Sequence, residues 1–301
     1  ALRGGRRLVD LSLLCGGLLL LRRWISVAHP RATLAIRIPR ARPWSASCAP
    51  YPGKRVVLLS ANTQYLDMLQ NWLLHAAPYL DPSTEQVLVV AESKQVVPGL
   101  KELSATMSVH FDIYHDPSWS GVEDPHAETS YKNGVWASVV THRPYLILRL
   151  LNEGCTVLYE DIDTAWIKPV FPVLDRAGDY DLMATDDWNV PMGQNTTNVC
   201  SCFLYLQPTK ASKSFIERYG ELAKGTANDQ SGFNKALLDF RGKMRYLILD
   251  VDQFPCGKRF PEVKAKAVIA HANWLIGRGS KVQFFVKHGL WKVKAPAIRK
   301  P

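Results

Sequence analysis

The stretch CTVLYEDIDTAWIKP, residues 155–169, decides the fold of this chain. Its first five residues form a β-branched and aromatic run after Gly154, which is typical of a buried strand. Asp161 and Asp163 stand where that strand ends. Asp-x-Asp alone is common in solvated loops and helix caps. At the carboxyl end of a strand in an α/β sheet, however, two carboxylates can hold a divalent cation, which can hold a diphosphate.

Strand and helix patterns alternate on both sides of this stretch. Further strands are predicted at residues 54–60, 86–91, 109–114, 181–185, 199–206 and 266–271. The helical pattern before Gly154 pairs Leu146 with Leu150, and Pro144 is expected to start or kink that helix. The alternation predicts an α/β fold with a mostly parallel, twisted sheet and helices on both faces.

The positive charge of the chain is concentrated near its N-terminus. The formal net charge is +10, but residues 1–55 hold 11 Lys and Arg residues and one acidic residue. Residues 56–301 hold 26 basic and 26 acidic residues and are therefore neutral. We expect no nucleic-acid partner for the folded part, because such partners select a basic face.

The N-terminal segment has the pattern of a targeting sequence. An apolar run, residues 11–21, lies between Arg7 and Arg22. Eleven residues suit the apolar region of a signal peptide better than a membrane span of about 20. We interpret residues 1–27 as a signal peptide or short signal anchor, with a disordered leader as the alternative. Residues 28–53, rich in Pro and Arg, would be a stem or linker before a single domain at 54–301. A Golgi or secretory-pathway lumenal location, with membrane attachment through the leader, would follow.

The cysteines leave the redox compartment open. Cys200-Ser201-Cys202 is tighter than the CxxC spacing of zinc and redox sites. Same-face neighbours along a strand do not bond easily, so we expect core thiols or partners in a longer-range disulfide. Asn195-Thr196-Thr197 is a glycosylation acceptor if the chain enters the secretory pathway.

Three later residues complete a set suited to a metal-bound diphosphate. His271 stands at a predicted strand end, where an imidazole can join the two carboxylates, although a single His near a strand is more often structural. Gly277 allows close approach of the backbone to an anion, and Lys281 supplies a positive charge for phosphate.

Four segments resemble the nucleotide-diphospho-sugar transferases of glycosyltransferase family 77. They are GCTVLYEDIDTAWIKPVFP, NVCSCFLYLQPT, NDQSGFNKAL and VIAHANWLIGRGSKVQFFVKHGLW. The resemblance covers roughly residues 54–291 and is specific from Arg143 onward. It departs from the family at Cys200-Ser201-Cys202, where related enzymes often carry glycine.

The resemblance implies a GT-A, Rossmann-like fold, a UDP-sugar donor, a Mn²⁺-type ion, a glycan or glycoprotein acceptor and retention of anomeric configuration. Residues matching the family pattern are Asp161, Asp163 and His271 for the metal, and Arg143, Asp161, Gly277 and Lys281 for the donor. Asp187, Asp229 and Gln230 are the candidate catalytic residues; Asp229 and Gln230 match family positions expected near donor sugar or acceptor. Front-face attack without a protein nucleophile is the preferred route; a covalent intermediate on Asp187 or Asp229 is the alternative.

Two other functions use a similar set of residues. A nucleotidyltransferase or diphosphate hydrolase also pairs carboxylates with a metal, but the chain has no GxxxxGK[ST] segment and no Gly-rich fingerprint after its first predicted strand. A non-catalytic glycan-binding relative would not need Asp161, Asp163, His271 and Lys281 together.

Overall fold

The computed structural model describes residues 55–116, 134–187, 198–224 and 228–294. The predicted leader, the stem, Cys15, Cys48 and the acceptor Asn195 lie outside these residues. The domain boundaries at residues 27 and 53 therefore stay predictions. In the described part of the chain, no helix has the length and apolar character needed to cross a membrane.

Nine strands lie in the described ranges. They are β1 (Arg55–Ala61), β2 (Glu85–Ala91), β3 (Phe111–Tyr114), β4 (Thr156–Glu160), β5 (Thr164–Trp166), β6 (Leu182–Asp186), β7 (Val199–Leu206), β8 (Tyr246–Ile248) and β9 (Ile269–His271). The main sheet has the order β3-β2-β1-β4-β7-β6-β8, and β5 pairs with β9 in a separate two-stranded sheet. β3, β2, β1 and β4 are parallel, whereas β7 runs antiparallel to both of its neighbours. The prediction of a mostly parallel sheet is confirmed.

The same ranges contain eight α-helices. They are α1 (Leu66–Ala76), α2 (Val97–Thr106), α3 (Gly134–Asn152), α4 (Phe171–Ala177), α5 (Lys210–Ala223), α6 (Asp229–Asp239), α7 (Phe260–Val263) and α8 (Arg278–Lys287). Pro144 lies inside α3 and does not start it. The short elements β5, β8 and α7, and also α4 and α8, have no counterpart among the sequence predictions.

The core follows from the two-residue period of the strands. Along β1, Val57 and Leu59 belong to one buried cluster with α1 and α2, whereas Val56 and Leu58 belong to a second cluster with α3, α5 and α6. Successive side chains of a strand point to opposite faces, so a strand that is apolar throughout needs a helical layer on each side. The predicted helices on both faces are confirmed.

Two cysteines of β7 contradict the sequence expectation. Cys200 and Cys202 are bonded to each other, with a Cα–Cα distance of 5.2 Å. The ladder between β6 and β7 is irregular here, since Ala184 faces Leu204 while Thr185 faces Cys200. The expectation of core thiols or a longer-range disulfide assumed a regular strand; the irregularity brings the two Cα atoms within disulfide range. Cys155 is also disulfide-bonded, and Cys256 is a free, buried thiol.

Candidate active site

The carboxyl ends of β1 and β4 open into a cavity of about 460 Å³. Of the site residues named from the sequence, Arg143, Asp161, Asp163, Asp187, Asp229, Gln230, Gly277 and Lys281 line this cavity. His271 lies behind them, buried at the end of β9. Residues predicted from separate segments are therefore brought to one place.

The backbone explains how Asp163 and His271 meet. The chain turns after β4 and enters β5, which pairs with β9 so that Thr164 faces His271. The amide of Ala272 donates to the carbonyl of Asp163 at 2.9 Å and closes the pair. His271 Nε2 lies 3.4 Å from Asp163 Oδ1. One ligand atom each from Asp161, Asp163 and His271 can be chosen so that all lie within 4.8 Å of one another.

This triad fits a divalent cation. His271 Nε2 is buried and has no hydrogen-bond partner, because its approach to Asp163 lacks hydrogen-bond geometry. An orphaned buried nitrogen beside two carboxylates is the donor set of an imidazole and oxygen site. Burial lowers the pKa of His271, but the Asp163 carboxylate more than offsets this and raises it.

Lys281 supplies a positive charge at the same point. It lies in the first turns of α8, which begins after Gly277, a residue with φ of 79° that favours glycine. Its Nζ forms an ion pair with Asp163 Oδ2. Burial would raise the pKa of Asp163, but Lys281 and His271 hold it well below its usual range. Asp163 is therefore an ionised, buried carboxylate between Lys281 and His271.

Arg143 connects the triad to the start of α6. Its guanidinium donates to Asp161 Oδ1 and to Asp229 Oδ2, both at 3.2 Å, and to the carbonyl of Ser201 at 2.8 Å. The guanidinium carbon lies 4.4 Å from the ring centroid of Tyr159. Arg143 thus holds Asp161 in place from within the protein, with its Nε buried and unpaired.

The candidate catalytic residues form a second hydrogen-bonded group. Asp187 accepts from Asn198 at 2.8 Å, from Gln230 at 3.0 Å and from Asn273 at 3.4 Å. The Oδ2 atom of Asp229 accepts from Arg143 and from the hydroxyl of Tyr219. Both carboxylates are held by several donors, and the Oε1 atom of Gln230 accepts from the amide of Ser201 at 3.4 Å.

Two buried glutamates were given no role from the sequence. Glu160 accepts hydrogen bonds from the indoles of Trp72 and Trp166, each at 2.8 Å, and from Thr164 at 3.0 Å. Glu92 lies just after β2 and lines the cavity. Burial raises the pKa of each glutamate to about 7. In the sequence, each of these glutamates follows the apolar run of a predicted strand, and that position is the signal that could have identified them.

Comparisons with known proteins identify relatives of this chain. Over 276 residues the chain is 28% identical to a UDP-D-xylose:L-fucose alpha-1,3-D-xylosyltransferase of Arabidopsis thaliana. This match covers 82% of this chain and 71% of that protein. Over 215 residues it is 25% identical to a UDP-galactose:fucoside alpha-3-galactosyltransferase of Dictyostelium discoideum, covering 62% of this chain and 33% of that protein.

The fold has a counterpart among solved structures. A galactosyltransferase, LgtC, in complex with donor and acceptor sugar analogs, superposes with a TM-score of 0.51 at 12% identity, covering 80% of this chain and 98% of that one. The family model described as nucleotide-diphospho-sugar transferase matches residues 84–285, more than half of the chain. The resemblance seen in the motifs is confirmed: the chain belongs to the nucleotide-diphospho-sugar transferase family.

Proposed function

We propose that this protein is a retaining, divalent-metal-dependent glycosyltransferase that moves a pentose or hexose from a UDP-sugar to a fucose-containing glycan or glycoprotein. The observation that carries the proposal is the triad of Asp161, Asp163 and His271 beside Lys281, in a cavity at the carboxyl ends of parallel strands. The two relatives described above are named for UDP-sugar donors and fucose or fucoside acceptors. The two relatives differ in the sugar they transfer, so the proposal includes both UDP-xylose and UDP-galactose as candidate donors.

The triad and Lys281 would each help to stabilise the leaving group. Asp161, Asp163 and His271 would hold the cation, and Mn²⁺ fits oxygen and imidazole ligands. A cation bound there supplies positive charge that offsets the charge on a departing diphosphate. Lys281, already ion-paired at the triad, supplies a second positive charge beside the same point. Such preorganised charge favours the transition state over the ground state.

The names of the relatives support retention, and the contacts of the cavity carboxylates support attack without a protein nucleophile. The relatives form alpha linkages, and UDP-xylose and UDP-galactose are ordinarily alpha-linked donors. Among the described residues, Asp187 and Asp229 are each held by several hydrogen-bond donors, as a positioning group is. We therefore keep front-face attack without a protein nucleophile, with the acceptor proton passing to a phosphate oxygen of the leaving UDP.

The disulfides support a location in the secretory pathway. Cys200–Cys202 lines the cavity and Cys155 is also disulfide-bonded. Disulfides persist in oxidising compartments and are rare in the cytosol. We propose a Golgi or secretory-pathway lumenal enzyme, with attachment to the membrane through its N-terminal segment.

One experiment tests the proposed activity. The purified protein is incubated with a panel of UDP-sugars and Mn²⁺, with and without methyl α-L-fucoside, and UDP release and product linkage are measured. We expect release from a UDP-pentose or UDP-hexose that rises with the acceptor and yields an alpha-linked disaccharide. Release that is independent of the acceptor would identify a diphosphate hydrolase instead, and binding of UDP without turnover would identify a non-catalytic relative.

A further inference from the structure

Trp274 has an unusual backbone for a large side chain. Its φ is 64°, and it is the one residue other than glycine with a positive φ in the described part of the chain. A bulky residue in the left-handed region costs about 1–3 kcal/mol and persists only where its surroundings impose it. Trp274 is also 48% exposed, so burial of its own ring does not explain the conformation.

Contacts on both sides fix this backbone and the ring. The indole Nε1 donates to the carbonyl of Asp187 at 3.0 Å, and Lys258 Nζ lies 4.1 Å from the ring centroid. The preceding Asn273 accepts from the amide of Gly257 at 2.7 Å. A Cβ at Gly257 would lie 2.8 Å from the carbonyl oxygen of Asn273, so the two segments pack closely there. Trp274 is therefore a rigid, partly exposed aromatic ring.

The ring contributes to the wall of the active-site cavity. Trp274 and Ile276, which is 69% exposed, both line it, whereas Lys258 is not among the described lining residues. Lys258 Nζ lies near the ring, and 48% of Trp274 remains exposed. Two exposed apolar side chains in the lining offer a ligand an apolar surface.

The position of Trp274 separates it from the nucleotide. In open α/β sheets the nucleotide lies at the carboxyl ends of the parallel strands, here at Ser60 and Asn62 at the end of β1. Trp274 is instead hydrogen-bonded to the carbonyl of Asp187, the residue directly after β6. The order β1-β4-β7-β6 puts three strand spacings, about 14 Å, between these ends. Trp274 therefore lies at the end of the cavity away from the β1 end.

We propose that Trp274, flanked by Ile276, is the platform that binds the acceptor sugar and selects a 6-deoxyhexose. This inference rests on the proposed function. The C–H face and C6 methyl of a fucoside would lie against the indole. An acceptor with a C6 hydroxyl would place a polar group against the apolar surface, where its hydrogen bonds to water are lost without replacement.

The test compares two acceptors that differ only at C6, methyl α-L-fucoside and methyl α-L-galactoside. The variants are Trp274→Gly, which removes the ring and suits the positive φ, and Trp274→Phe, which keeps a ring. Leu238→Ala, at another exposed apolar residue, in α6, is the matched control. Measured for each are the KM for each acceptor, the KM for the UDP-sugar and UDP release without acceptor.

We expect Trp274→Gly to raise the KM for the fucoside by about tenfold, equivalent to about 1.4 kcal/mol, and to reduce the preference for fucoside over galactoside. The donor KM and acceptor-independent UDP release should stay at wild-type values, Trp274→Phe should be intermediate, and Leu238→Ala unchanged. A fucoside KM that does not change in Trp274→Gly, or a donor KM that rises equally, would overturn the proposed role of Trp274. The proposed function would not be affected. A wild-type protein that turns over a UDP-sugar but accepts neither glycoside overturns the proposed acceptor class and the platform with it.

Discussion

His271 lies beside Asp163, with Nε2 at 3.4 Å from Oδ1, because the last residue of β9 pairs with the first residue of β5. The imidazole nitrogen has no hydrogen-bond partner of its own. A position that strand pairing fixes is preorganised, so little rearrangement is needed when a cation arrives.

If His271 is a metal ligand, His271→Ala should weaken Mn²⁺ binding. Loss of partners that only orient a ligand already costs about 10–100-fold in metal affinity, so loss of a direct ligand should cost at least about tenfold. Calorimetric titration of Mn²⁺ into the nucleotide-free protein measures this. His110→Ala, at a histidine whose side chain is 84% exposed, is the control. Equal affinities for wild type and His271→Ala would remove His271 from the metal site.

Lys281→Met should separate catalysis from metal binding. The Lys281 amine is ion-paired with Asp163, so its removal takes a positive charge away from the cation site and should leave Mn²⁺ affinity equal or tighter. Transfer should nevertheless slow by about 10²–10³-fold, since one preorganised charge facing the leaving group is lost. Single-turnover rates at saturating Mn²⁺ measure this, with Lys287→Met at the exposed end of α8 as control. A wild-type rate in Lys281→Met would show that Lys281 only balances Asp163.

Glu160→Ala should destabilise the fold. The carboxylate is the acceptor for two buried indole N–H groups, those of Trp72 and Trp166. Each buried donor left unpaired costs about 1–3 kcal/mol, so we expect a loss of about 2–6 kcal/mol in the free energy of unfolding. Urea denaturation checks the value. Glu160→Gln keeps an acceptor oxygen and should lose less, whereas Glu102→Ala at an exposed carboxylate should change little. If Glu160→Ala unfolds at the wild-type urea concentration, the indoles have found other partners.

Glu92→Gln should change how stability depends on pH. Burial raises the pKa of Glu92 from 4.5 to about 7, so this carboxyl binds its proton more tightly in the folded protein than in the unfolded chain. Stability from this residue is present below about pH 4.5 and is lost as the pH rises towards 7. Between pH 4 and pH 8 the free energy of unfolding of Glu92→Gln, relative to wild type, should rise by about 3 kcal/mol. Urea denaturation at several pH values tests this, and a constant difference would contradict the raised pKa.

The triad could be predicted from sequence because its members stand at strand ends. Asp161, Asp163 and His271 each follow or end a short apolar run, and ligands of α/β sheets gather outside the carboxyl ends of strands. β5 could not be predicted in the same way, because its three residues, Thr164–Trp166, are too few to show a period. Its pairing with β9 is nevertheless what fixes the geometry between Asp163 and His271.

Other features depend on contacts between distant segments. The role of Glu160 requires Trp72, which reaches it from α1. The Cys200–Cys202 bond depends on an irregular ladder with β6, and the positive φ of Trp274 depends on Asp187 and Lys258. No local pattern in the sequence carries this information.

The most direct test of metal-dependent transfer at the triad is chelation followed by restoration. Transfer from the UDP-sugar to methyl α-L-fucoside is measured for wild type and Asp163→Asn after treatment with EDTA and again after excess Mn²⁺. Asn keeps the size of this buried residue, which is 4% exposed. We expect wild-type transfer to stop with EDTA and to return with Mn²⁺, and Asp163→Asn to stay inactive throughout. Wild-type transfer that continues at an undiminished rate in EDTA would contradict the proposed role of the triad.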